Sequence, residues 1–104
     1  MKIPERIEFL YWEGCPSYPE ALALLRTVLD ERGVTTPIEI REVLTDEEAA
    51  ELRFPGSPTI RVDGRDVDAA GAAQAPALNC RIYWLPGGRV SPVPSRAQIE
   101  TALA

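Results

Sequence analysis

Two cysteines, Cys15 and Cys80, are the residues in this 104-residue chain best suited to chemistry. Cys15 stands in Glu13-Gly14-Cys15-Pro16-Ser17, just ahead of a stretch that reads as a helix. There the unpaired N–H groups and the positive end of the helix dipole would stabilise a thiolate and lower its pKa. The competing reading is a small apolar residue that happens to carry sulfur; the loop position between Gly14 and Pro16 favours a reactive, accessible thiol. Two cysteines are too few for a disulfide scaffold or for a complete structural zinc site, so they matter as thiols. The chain has no histidine, which removes Ser-His-Asp, Cys-His and histidine-rich zinc chemistry. Lys2 is the only lysine, which leaves a Schiff-base or phosphate-loop mechanism no well-placed residue.

Other side chains are weaker candidates. Pro58, in Gly56-Ser57-Pro58-Thr59, draws notice because X-Pro bonds alone adopt cis cheaply. Asp63, Asp66 and Asp68 invite a calcium site, but the glycine of Asp-Gly-Arg-Asp-Val-Asp is misplaced for an EF-hand, and a solvated hairpin turn accounts for them. Glu13 is either a proton acceptor for Cys15 or an exposed loop acid. Tyr11, Trp12, Tyr18, Tyr83 and Trp84 cluster in a chain with few aromatics. Most should be core, with one of each adjacent pair free to line a peptide or dimer surface.

The elements that must hold these residues follow from patterning. Arg6 to Trp12 is a nearly continuous apolar run that suits a strand buried on both faces. Ser17 with Glu20 reads as a capping box with Pro19 in the first turn, opening a helix whose stripe is Leu22, Leu25 and Leu29 and whose end is Arg32-Gly33. Alternation over Ile38 to Val43 predicts a second strand with one face exposed, and Thr45 to Glu48 caps a short helix that Pro55-Gly56 stops. Ser57 to Val67 reads as a hairpin around Asp63-Gly64. Residues 69–77 read as a connecting loop with at most a helical turn, and 80–85 as strand-like. Ser95 and Gln98 cap a terminal helix through Ile99 and Leu103.

With this β-α-β-α-β-β-α order, a Cys-Pro pair at the first strand-to-helix turn and Ser57-Pro58-Thr59-Ile60 ahead of the third strand, the chain resembles the thioredoxin-like superfamily, in particular short bacterial members with a Gly-Cys-Pro motif. The resemblance spans nearly all of the sequence and implies one α/β domain over residues 1–104 with a mixed central sheet. It further implies that Cys15 is the attacking thiol, that Pro58 is the cis-proline, and that Ser57 offers its backbone to an extended substrate, with Thr59 and Tyr18 beside it. The chain departs from the family pattern at Tyr18, which occupies the place of the resolving cysteine. Cys15 would then act as a monothiol, or Cys80 would resolve the mixed disulfide. Residues after Val67 begin at the end of the sheet near Cys15, so Cys80 can reach it. Whether the two thiols form a redox or metal-binding pair or act independently stays open, because a disulfide needs Cα atoms within about 7 Å.

Eleven basic against sixteen acidic residues, a formal charge of -5, argue against nucleic acid and anionic membranes as partners. Nothing in the sequence resembles a membrane span or a leader peptide, which places the expected location in the cytoplasm. The leading expectation is thus a thiol-disulfide oxidoreductase, or a redox-responsive relative, without a cofactor, acting on a protein or low-molecular-weight thiol or disulfide as a monomer or simple homodimer. The alternatives are soft-metal or mercurial binding by Cys15 and Cys80, and a non-catalytic binding module that keeps the fold.

Overall fold

Residues 7–11 put apolar side chains on both sides of an extended chain, and this strand, β1 (Ile7–Tyr11), lies at the interior of a four-stranded sheet. The computed structural model describes residues 3–104, so Lys2 lies outside the described residues. After β1 come α1 (Tyr18–Glu31), β2 (Ile38–Glu42), α2 (Asp46–Leu52), β3 (Thr59–Val62), β4 (Arg65–Asp66) and α3 (Ala69–Ala72). The C-terminal part adds β5 (Tyr83–Trp84), a 3-10 turn at Pro86–Gly88, β6 (Val90–Ser91) and α4 (Arg96–Leu103). The sheet order is β2-β1-β3-β4, with β1 parallel to β2 and antiparallel to β3, and β3 antiparallel to β4. The fold is therefore α/β with a mixed sheet.

Register decides which side chains share a face. Ile7 pairs with Val62 and Phe9 with Ile60, so these four project together. They meet Ala21, Leu25, Val28 and Leu29 of α1 and Ile99 and Leu103 of α4 in one buried cluster. Each large side chain buried there contributes about 1.5–3 kcal/mol. Leu10 projects to the opposite face and packs with Val43, Ala49 and Phe54 around α2. Helices thus cover both faces of the sheet, and no helix among the described residues is long and apolar enough to cross a membrane.

Several local expectations need correction. Ser17 does precede α1, but its backbone is helical (φ -95°, ψ -11°) and its side chain makes no capping hydrogen bond, because a hydroxyl caps from an extended residue. Thr45 and Ser95 are extended and do cap, Thr45 accepting from Glu48 N–H and Ser95 forming the full reciprocal box with Gln98. The second strand has more than one wet face: Ile40 is 46% exposed, since β2 is the edge of the sheet. Residues 69–77 are, as expected, a connection with one helical turn, the four-residue α3. The strand-like stretch 80–85 yields only β5, which pairs with the unforeseen β6 in a separate two-stranded sheet. At the hairpin, Asp63 and Gly64 have φ of 50° and 81°, the two positive values that a type I′ turn requires.

Tyr83 of β5 ties this small sheet to the main one. It is fully buried, and its hydroxyl donates to Pro58 O at 2.6 Å. Burial pushes its phenol well above the ordinary value near 10, with the Asp66 and Asp68 charges adding to the rise and Arg81 opposing it. The neutral phenol is thus favoured by folding. Its contribution is fully present below about pH 10 and is lost as the pH rises above the unfolded value. Tyr83→Phe is expected to cost about 1–3 kcal/mol at pH 8 and to flatten the decline in stability above pH 10. Urea denaturation at pH 8 and pH 10.5 checks both, and an unchanged decline in the variant would reject the assignment.

Candidate functional site

The turn after β1 sets the first thiol. Cys15 N–H donates to Trp12 O at 3.0 Å, closing a tight turn over Glu13 and Gly14. Gly14 leaves room for the Trp12 indole, since a Cβ there would lie 2.4 Å from it and force the ring to move. This turn tucks the Cys15 side chain inward, where the residue is 1% exposed and its Sγ donates to Ser57 O at 3.4 Å. The expected accessible thiol is therefore a buried one. Tyr18, at the start of α1, stacks on Tyr11 with ring centroids 4.4 Å apart, and its hydroxyl donates to Glu13 Oε2 at 3.1 Å. Burial chiefly, then the Glu13 carboxylate, pushes the Tyr18 phenol upward. Glu13 is engaged with Tyr18, as a hydrogen-bond acceptor, rather than with Cys15.

Ser57-Pro58-Thr59 lies across from this turn, and the Ser57–Pro58 bond is cis. All three residues are buried. Ser57 Oγ accepts from Trp12 N–H at 3.0 Å, and Thr59 Oγ1 donates to Gly56 O at 2.7 Å. The Ser57 backbone is also engaged: its N–H donates to Asn79 O at 2.8 Å and its O accepts from Arg81 N–H at 3.0 Å. The chain's own segment 79–81 thus lies alongside Ser57 as a short parallel bridge, with Cys80 opposite Ser57. Ser57 O binds both Arg81 N–H and Cys15 Sγ, so the two cysteines are held on either side of one residue.

Cys15 and Cys80 are near each other, both free and not at disulfide distance. Cys80 is exposed where Cys15 is buried. Partial desolvation, a hydrogen bond with Cys15 and the Cys15 charge all push the Cys80 thiol above its ordinary value.

Arg81, which follows Cys80, anchors the segment from below. Its side chain is 1% exposed and forms a two-pronged pair with Asp66, Nη1 to Oδ2 at 2.8 Å and Nη2 to Oδ1 at 3.2 Å. Nη1 also donates to Thr59 Oγ1 at 3.1 Å, and the guanidinium lies 4.2 Å over the Tyr83 ring. Burial alone would lower the Arg81 pKa, but Asp66 and the surrounding negative groups outweigh it and leave the pKa raised. Asp68 Oδ2 accepts from Trp84 N–H at 3.2 Å. Asp66 and Asp68 are therefore structural acids and not solvated turn residues. Asp63 is the turn residue of the three, its Oδ1 accepting Glu5 and Arg6 N–H at 2.9 Å each. Among the described residues no group of three or more His, Cys, Asp or Glu could hold a metal. Sequence reasoning missed Arg81, and the available signal was a lone arginine inside the otherwise apolar and aromatic run Cys80 to Leu85.

Cys80 opens onto a cavity of about 380 Å³ lined by Pro55, Gln74, Asn79, Arg81, Ile82 and Trp84. Trp84 is the exposed member of the Tyr83-Trp84 pair, while Tyr11 and Trp12 are both half-buried. A larger cleft of about 510 Å³ lies between the end of α1 and the start of β2, lined by Arg26, Asp30, Val34 and Ile38 among others, and holds no thiol. No protein-family model, curated protein or solved structure matches this chain.

Proposed function

We propose that the chain is a thioredoxin-like protein of thiol-disulfide exchange in which Cys15 and Cys80 cycle between dithiol and disulfide. The single observation that carries this is the placement of two free thiols beside each other across Ser57, at the turn where β1 leads toward α1. The resemblance assigns to the residue before the proline the task of pairing with an extended substrate. Here the backbone of Ser57 pairs instead with the chain's own Asn79 and Arg81, which brings Cys80 to Cys15 as a built-in second thiol. That supports Cys80 as the substitute for the resolving cysteine that Tyr18 displaces. The partner is a protein or a low-molecular-weight disulfide, and the compartment is one that keeps thiols reduced, such as the cytoplasm.

Mild oxidation with glutathione disulfide, followed by thiol counting and peptide mass mapping, tests the pair. An internal Cys15–Cys80 disulfide, reopened by dithiothreitol, is the expected product. Two thiols that stay free and unreactive would overturn the exchange function and leave a scaffold that binds partners without chemistry. The same two neighbouring thiols also fit linear coordination of Hg(II) or Cu(I). Stoichiometric metal binding by reduced protein that never forms the disulfide would favour that second function.

A further inference from the structure

Resting on the exchange function proposed above, we infer that Cys80, not Cys15, is the thiol that meets the external partner, and that the partner is an uncharged low-molecular-weight disulfide seated in the cavity beside it. Access decides the order. Exchange requires the attacking sulfur to approach a disulfide in line, and Cys15 is enclosed by the turn and by Ser57 with 1% of its surface exposed. Cys80 is exposed at the mouth of the cavity. The cavity's volume of about 380 Å³ is that of a small-molecule site. Ile82 and Trp84, 53% and 51% exposed, provide an apolar wall that Pro55, Ala75 and Ala77 extend, with Gln74 and Asn79 as neutral polar groups beside it. Arg81, its one charged lining residue, is turned to Asp66 and its charge is paired there, so an anionic ligand gains little counter-charge.

The reaction balances as two exchanges. The Cys80 thiolate attacks one sulfur of R–S–S–R; the Cys80–SR bond forms, the S–S bond breaks and RS⁻ leaves. The Cys15 thiolate then attacks the Cys80 sulfur, forming Cys15–Cys80 and expelling the second RS⁻. The protein dithiol loses two electrons and two protons, and the partner becomes two RSH. Cys15 need never reach solvent, because the only sulfur it attacks is that of its neighbour. A raised thiol pKa leaves less thiolate on Cys80 but makes that thiolate the stronger nucleophile.

The test treats Cys15→Ser, Cys15→Ala and Cys80→Ser with 2-hydroxyethyl disulfide and follows adducts by intact mass and peptide mapping. Both Cys15 variants are expected to accumulate a mixed disulfide at Cys80 at least ten times faster than Cys80→Ser acquires one at Cys15. An equal or faster adduct at Cys15 overturns the assignment. Rapidly quenched wild-type protein decides the order even where a variant fails to fold: a first adduct at Cys80 supports it, and one at Cys15 overturns it. Wild-type protein that carries the Cys80 adduct but never closes to the internal disulfide removes the exchange function while supporting Cys80 as the receiving thiol. Protein that reacts at neither cysteine overturns both. Glutathione disulfide, corrected for its rate with free cysteine, is expected to react more slowly than the neutral probe, and a faster rate would overturn the uncharged class.

Discussion

Asp66→Ala is expected to destabilise the protein by about 3–5 kcal/mol, the loss associated with leaving a buried charge without its partner. The Arg81 side chain is 1% exposed and the Asp66 side chain 5%, so neither recovers hydration when the other is removed. Arg81 would retain Thr59 Oγ1 and the carbonyl of Asp68, two neutral acceptors for a full positive charge, and its buried Nε already lacks a protein acceptor. Arg81→Met is expected to cost a similar amount, since it leaves the buried Asp66 carboxylate with only Asp68 N–H, which Oδ1 accepts at 2.8 Å. Urea denaturation with a constant slope measures both. A shift below about 1 kcal/mol for Asp66→Ala would mean that water reaches the guanidinium. Because Arg81 follows Cys80 directly, the same variant should lower the yield of internal disulfide even under conditions where it stays folded.

Gly56→Ala is expected to cost about 2–4 kcal/mol, through backbone strain and the loss of hydrogen bonds beyond it. Gly56 has φ of 127°, and a Cβ there would lie 2.8 Å from Arg81 Cβ and 2.9 Å from Asn79 Oδ1. The exposed Asn79 amide can turn aside, but Arg81 Cβ and Arg81 N, 3.1 Å away, cannot, because Arg81 is held by its backbone bond to Ser57 and by its side-chain pair with Asp66. The added methyl must push segment 79–81 off Ser57, breaking two backbone bonds and moving Cys80 away from Cys15. Internal disulfide formation should fall at least tenfold in consequence. Gly64→Ala is the control, since φ is 81° there but nothing lies within 4 Å of the added Cβ. It should show the cost of strain alone with disulfide formation unchanged. Equal disulfide yields from the two variants would dissociate segment 79–81 from the thiol pair.

What could be read from the sequence depended on how local the determinant was. The strands and helices of the first two-thirds, and the terminal helix, follow from short-range signals: the apolar run of β1, the Leu25 and Leu29 stripe, Thr45 and Ser95 as caps, and Asp63-Gly64 as a turn. The Cys15 turn was legible in position but not in depth. Its burial comes from Trp12, Ser57 and the neighbouring segment closing over it, which are contacts between residues far apart in the chain. Residues 69–91 were the least legible because tertiary bonds shape them: β5 is set by Asp68 and by Tyr83 reaching Pro58. Asp66 and Asp68 carry the composition of a solvated turn, and only the guanidinium arriving from Arg81 makes them interior residues.

The clasp between Ser57 and residues 79–81 has a thermodynamic consequence. Cys15 belongs to the first turn of the fold and Cys80 to its last third, so a bond between them would close a loop of more than half the chain. A cross-link of that span restricts the unfolded ensemble by about 4 kcal/mol. A change of oxidation state would then be felt across the whole molecule as a change in its resistance to unfolding, and whatever favours unfolding would in turn make the thiol pair harder to oxidise. Reducing power and folding stability would become two readings of one equilibrium, joined through two thiols that the folded chain holds near each other.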